Sequence, residues 1–215
     1  MYSRNILTAL FLITLIFGQV YAIPLLGDKQ QREAKRLWKQ GKYLEAIAVM
    51  RKRCCEMREG KKSNKAVRDL ISFVKKTPQE VVSKMEELCR EGNPDGCADM
   101  GWYLLSKKNG FCVEYFRKAC EYGDAFCCNI LGTIHLGWSG LLHRDCKKSE
   151  YFLQKACRMG EMHACYNLGI LYKKGCGDVK KNKELSRKYL KKACSFGMKD
   201  ACWELKPVWR KVLGF

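Results

Sequence analysis

The sequence predicts an all-α fold, a solenoid of helix pairs held by disulfides, and three observations predict it. A Cys-x2-Gly-x4-Cys pattern occurs four times, at Cys89/Cys97, Cys120/Cys128, Cys157/Cys165 and Cys194/Cys202. Lys118-Ala119-Cys120, Lys155-Ala156-Cys157 and Lys192-Ala193-Cys194 recur with a period of 37 residues. No segment sustains period-2 alternation, and the chain has only four prolines. A fixed period between 20 and 50 residues marks a stack of supersecondary units.

The glycine explains the staple. Eight residues along one continuous helix span roughly 12 Å, too far for a disulfide, which wants Cα atoms about 4.4–6.8 Å apart. Gly92, Gly123, Gly160 and Gly197 each follow the first Cys by three residues. There they supply the left-handed cap that ends a helix. The chain then reverses and a second helix brings the second Cys back beside the first. Four such staples are expected, Cys89–Cys97, Cys120–Cys128, Cys157–Cys165 and Cys194–Cys202. Each contributes about 2–3 kcal/mol in the chain-entropy model.

In chain order, Arg4 and the apolar run from Ile6 to Gly18 read as a secretory signal, with cleavage after Ala22 at Val20-Tyr21-Ala22. The run is short for a membrane span, so no span is expected after cleavage. Residues 23–77 form an N-terminal helical region. In it, Asp28 to Gln40 reads as a helix capped by Asp28 and stopped at Gly41, and Tyr43 to Glu56 follows. Lys65 to Lys76 carries an apolar stripe of Val67, Leu70, Ile71 and Val74. Thr77-Pro78 opens the next helix, with Thr77 as cap and Glu80 three residues on. Residues 78–206 hold the stapled units. Their first helices cover about 95–107, 125–136 and 162–173, and their second helices about 112–122, 147–159 and 182–196. A last helix starts near Lys199, and 207–215 form a C-terminal cap.

Fourteen cysteines in an exported chain imply a disulfide framework and a secreted or periplasmic location. Cys54, Cys55, Cys112, Cys127, Cys146 and Cys176 remain after the staples. Cys112–Cys146 and Cys146–Cys176 are both open to a chain whose loops stack, and the sequence does not choose. No metal site is expected, because no C-x2-C pair occurs and His135, His143 and His163 fit no ligand motif. No cofactor is implied. The formal charge is +19, spread over the chain in lysine doublets. They read as a solvated face, or as attraction to an anionic extracellular or envelope partner. Nucleic acid is not expected, since no recognition motif interleaves aromatics with the lysines.

These residues resemble a known family. The Cys staples, the Lys-Ala-Cys ends, Leu131-Gly132 and Leu168-Gly169, and the Tyr172-Lys173-Lys174-Gly175 turn are similar to the Sel-one-like repeat (SLR) family, relatives of the tetratricopeptide repeats. The eight-residue Cys spacing resembles the Helicobacter cysteine-rich (Hcp) proteins. The resemblance covers about 79–206. Residues 28–57 look like a degenerate unit, with Gly41, Tyr43 and Ala46 in order but no partner eight residues beyond Cys54. The resemblance implies an exported scaffold with a concave binding surface lined by first helices. It also implies penicillin binding and slow β-lactamase activity, so β-lactams or peptidoglycan fragments join the candidate ligands. It transfers no catalytic residue.

The candidate binding residues follow from register. Positions one and five after the second Cys share a helix face, which gives Trp102, Asn129, Thr133 and Tyr166, and Asn167 stands beside them. Amide, hydroxyl and aromatic groups on one face suit a peptide or a glycan. Trp102 and Tyr166 read equally as core between repeats. For catalysis, a serine β-lactamase wants S-x-x-K with S-D-N and K-T-G. Ser72-Phe73-Val74-Lys75 is the single S-x-x-K, its companion motifs are absent, and chance accounts for it. The catalytic residues are therefore unknown.

Overall fold

The computed structural model describes residues 29–56, 60–140 and 142–206. The expected signal segment, the Asp28 cap and the 207–215 cap lie outside the described residues. The described residues form helices and no strand. They divide into two compact units, one ending at Arg53 and one beginning at Cys54.

In the first unit, α1 (29–39) runs to a reversal at Gly41, whose φ of +76° a side chain would strain. Lys42 N–H then donates to Leu37 C=O, and Trp38 meets Tyr43 edge to face at 4.8 Å. The chain continues into α2 (Tyr43–Glu56), which buries Ala46, Ile47 and Met50.

The second unit continues with α3 (Gly60–Val74), α4 (Gln79–Arg90), α5 (Pro94–Ser106), α6 (Cys112–Glu121) and α7 (Ala125–His135). It ends with α8 (Cys146–Arg158), α9 (Met162–Lys174), α10 (Lys183–Ser195) and α11 (Lys199–Leu205). From α4 onward each helix packs mainly on its two chain neighbours, and α3 packs on α5. Such a pattern is a one-dimensional stack. The expected helix bounds hold to within one or two residues in the stapled region. Thr77 is the exception. Its hydroxyl donates to Val74 C=O at 2.7 Å and closes α3, while Pro78 stands at the α4 cap without a side-chain bond.

All four staples form, with Cα separations of 4.4, 4.8, 4.7 and 4.8 Å. Gly92, Gly123, Gly160 and Gly197 have φ between +83° and +100°. In each turn the glycine N–H donates to the first Cys carbonyl, and the next N–H donates to the residue before that Cys, as Gly123→Cys120 and Asp124→Ala119 do. These paired bonds are the Schellman closure. The residue after the glycine then caps the following helix. Asn93 accepts from Asp95 and Gly96 N–H, Asp124 from Cys127 N–H, and Glu161 from His163 and Ala164 N–H. Met198 takes the same place before α11 with no side-chain cap.

A fifth disulfide, Cys146–Cys176, ties the start of α8 to the loop after α9. It selects one of the two pairings that the sequence left open. Cys112 is buried outside any disulfide, and burial pushes its thiol up to about 11. Cys54 and Cys127 are buried as well. The side chain of Cys55 lies outside the described residues.

Helices approach through a repeated glycine. Gly101, Gly132 and Gly169 face Phe116, Leu153 and Leu190, and a Cβ on each glycine would stand 2.5–2.7 Å from those side chains. Phe116, Leu153 and Leu190 each precede a staple Cys by four residues and are buried. The 37-residue sequence period is therefore also a packing period.

Candidate functional site

The same register that builds the stack lines a cleft. In α7 and α9 the staple holds the second Cys against the preceding helix, so positions one and five beyond it turn to the opposite face. Asn129, Thr133, Tyr166 and Asn167 come together there in a cleft of about 230 Å³. Phe126 and Ile130 of α7, His163 of α9, Val67 of α3, Trp138 and Met198 complete the wall. Asn167 Nδ2 donates to Asn129 Oδ1 at 3.0 Å, across 38 residues of sequence. An amide carries two donors and one acceptor. The Asn129 amino group and the Asn167 carbonyl make no further bond among the described residues. Together they offer a donor and an acceptor. Thr133 Oγ1 donates to Ile130 C=O at 2.8 Å and keeps its lone pairs. Burial first, then the negative charges of Glu204 and Asp200, raise the Tyr166 phenol above its ordinary value. It stays a neutral donor and acceptor at physiological pH.

Trp102 does not belong to this site. Its ring is wholly buried, edge to face with Phe116 at 5.3 Å and stacked near Phe126 at 6.0 Å. The reason is local. The equivalent positions Thr133 and Ile170 are half-buried, whereas Trp102 lies across the Gly101–Phe116 contact. The sequence reading missed Phe126, Ile130, His163, Trp138, Val67 and Met198. Phe126 and His163 both sit two residues before the second Cys, so that register carried a signal. Trp138 stands in an irregular loop and Val67 in a helix outside the period, and neither had one.

A larger, shallower trough of about 520 Å³ adjoins the cleft at Phe126, lined by Asp124, Met159, Glu161, Met162 and Phe196. Burial pushes the Glu161 carboxyl up to about 7, against the pull of its two N–H bonds and with help from the Asp124 charge. Among the described residues no group of three or more His, Cys, Asp or Glu is arranged to hold a metal ion. Ser72 on α3 and Lys75 in the turn after it are both exposed, and neither lines the cleft.

Residues 94–124, 125–161 and 163–195 each match the model of the Sel1 repeat. Between residues 94 and 195 the chain carries three Sel1 repeats. Within that division the staples acquire a meaning the spacing alone did not show. Cys120–Cys128 and Cys157–Cys165 each join one Sel1 repeat to the next, so they lock neighbours in register rather than bracing a single unit. A Sel1 repeat protein from Oxalobacter formigenes matches with a TM-score of 0.51 at 22% identity, covering 57% of this chain and 95% of that one. A protective antigen with an SLR fold from uropathogenic Escherichia coli matches with a TM-score of 0.52 at 16% identity, covering 81% of this chain and 39% of that one. Both likenesses show the fold. Helicobacter pylori cysteine-rich protein B aligns at 26% identity over 61% of this chain and 99% of its own, with a TM-score of 0.47. A search of curated proteins returns no match.

Proposed function

We propose that this chain is an exported, disulfide-locked scaffold that seats an extended peptide of an extracellular or envelope partner in the α7–α9 cleft. The observation that carries the reading is the Asn129–Asn167 pair. It presents a donor and an acceptor side by side, as a peptide unit of a bound strand requires, on a surface that is otherwise largely aromatic and aliphatic, with Thr133, His163 and Tyr166 adding polar groups. Sel1 repeats are protein-interaction modules in general, and five disulfides fit an oxidising compartment. No helix among the described residues is long and apolar enough to cross a membrane.

Size favours a peptide over an enclosed small molecule. A cleft of about 230 Å³ is smaller than the roughly 300–1,000 Å³ of pockets that engulf drug-sized ligands. It suits one or two side chains of a longer strand whose backbone runs across the amides. The test is a peptide array probed with the mature protein, followed by affinity measurements on the captured peptides. Asn167→Ala removes one hydrogen-bonding unit and is expected to weaken binding about five- to tenfold, with an unchanged helical spectrum. If peptides bind and Asn167→Ala and Thr133→Ala both leave their affinity intact, the cleft is not the seat.

A further inference from the structure

The second helices of the stack change charge along its length. On α4, Glu80, Glu86 and Glu87 outnumber Lys84 and Arg90. On α6, Arg117 is bound by both Glu114 and Glu121, and the helix is balanced. On α8, Lys147, Lys148, Lys155 and Arg158 face a single acid, Glu150. On α10, Lys183, Arg187, Lys188, Lys191 and Lys192 face only Glu184. The pairing follows the same trend. Lys84 holds Glu87 at 2.8 Å on α4. None of Lys183, Arg187, Lys188 and Lys191 has a carboxylate partner among the described residues.

The cations of α8 and α10 belong to one surface. Both helices pack on α9 through Tyr172. Its hydroxyl donates to Glu150 and accepts from Gln154 Nε2 at 3.1 Å, and its ring stacks on Tyr189 at 5.7 Å. Glu150, the one acid of α8, is drawn inward by that bond, with 17% of its side chain exposed. Lys147 Nζ reaches the same carboxylate at 3.3 Å and Lys148 Nζ reaches Asp145 at 3.3 Å, while Lys155 and Arg158 have no carboxylate partner among the described residues. Along α10, Lys183, Arg187 and Lys191 recur every four residues, one ridge with steps of about 6 Å. In the 37-residue register these positions fall on Cys146, Glu150 and Gln154 of α8, which turn inward, and the outward row of α8 reads Lys147, Tyr151, Lys155. Tyr151 is 58% exposed, in edge-to-face contact with Phe152 at 5.2 Å.

We propose that the outer face of α8 and α10 is a second binding surface, and that its partner is a linear acidic polysaccharide carrying carboxylate or sulfate groups. The unpaired cations of α10, at regular spacing, match a polymer with regular negative charge. The exposed Tyr151 ring set among lysines offers a stacking face to a sugar. An anionic bilayer fits less well. Surface-bound amphipathic helices bury a large apolar face in the lipid, and Tyr151 is the one exposed large hydrophobic side chain on these two helices. This surface is separate from the α7–α9 cleft and does not depend on what the cleft binds.

The probe is heparin, titrated against the mature protein over a salt series, with phosphatidylglycerol vesicles as the second arm. Binding to heparin is expected and should weaken as salt rises. The triple change Arg187→Gln, Lys188→Gln, Lys191→Gln is expected to cost at least about tenfold, since each cation against a polyanionic surface is worth a factor of about five. A control triple of equal charge change on α3 and the turn after it, Lys65→Gln, Lys75→Gln, Lys76→Gln, should cost less than about twofold. Tyr151→Ala should weaken binding further at high salt, and Asn167→Ala should leave it unchanged. The proposal is overturned if the two triples fall equally, if neither falls, or if the protein binds the vesicles and not heparin.

Discussion

Gly169→Ala tests whether the 37-residue period is a packing period. A Cβ at this position would stand 2.7 Å from Leu190 Cγ, 2.8 Å from Cδ2 and 3.2 Å from the Leu190 backbone nitrogen. Carbon atoms pack best at about 3.5–4.0 Å, so α9 and α10 must part by nearly an ångström or Leu190 must leave its rotamer. Leu190 is 4% exposed and has little room to move. Overpacking of this kind costs about 1–3 kcal/mol. Parting the helices also stretches the bond from Ser186 Oγ to Gly169 C=O, now 2.8 Å, which is worth about 1 kcal/mol. Against these stands a helix-propensity gain of up to about 1 kcal/mol for alanine over glycine. The net expectation is a loss of about 2 kcal/mol, or a fall in Tm of about 4–8 °C for a chain of this size. Calorimetry of the oxidised protein reads it directly. Leu190→Ala should be less damaging in the Gly169→Ala background than alone, by about 1 kcal/mol or more, because the added methyl fills part of the space it vacates. A Gly169→Ala protein as stable as the wild type, or additivity in the double variant, would refute the reasoning.

Glu161 makes stability depend on pH. Its carboxyl is raised from about 4.5 to about 7 in the folded state by burial, so the protonated form is favoured on folding. The contribution is fully present below the unfolded value and is lost as pH rises through about 7. Glu161→Gln keeps an N-cap acceptor, and its urea midpoint should gain on the wild type between pH 4.5 and 7. A constant difference across that window would contradict the burial argument. For β-lactam chemistry, Ser72→Ala is expected to leave any turnover of a chromogenic cephalosporin unchanged, because Ser72 and Lys75 lie exposed at the end of α3 and in the turn after it. A loss of about 100-fold, typical of removing a key catalytic group, would make this chain a serine enzyme.

The all-α class, the four staples and most helix bounds in the stapled region are readable from the residues alone. The reason is that these features are local. A glycine at +83° to +100° three residues after a Cys has one low-energy use, and the cap that follows it needs only the next few N–H groups. Asn129, Thr133, Tyr166 and Asn167 were legible for the same reason, since a helix face is set by spacing within one element. The tertiary structure alone decided what depends on two elements meeting. Trp102 shares the register of Thr133, yet it is buried because Phe116 and Phe126 close over it. Cys146 found Cys176 rather than Cys112 because the start of α8 stands beside the loop after α9, a distance no spacing encodes. The bond between Asn129 and Asn167 and the inward turn of Glu150 toward Tyr172 belong to the same class. Each depends on how far apart successive repeats settle, and that separation is set by a glycine on one helix meeting a leucine or phenylalanine on the next.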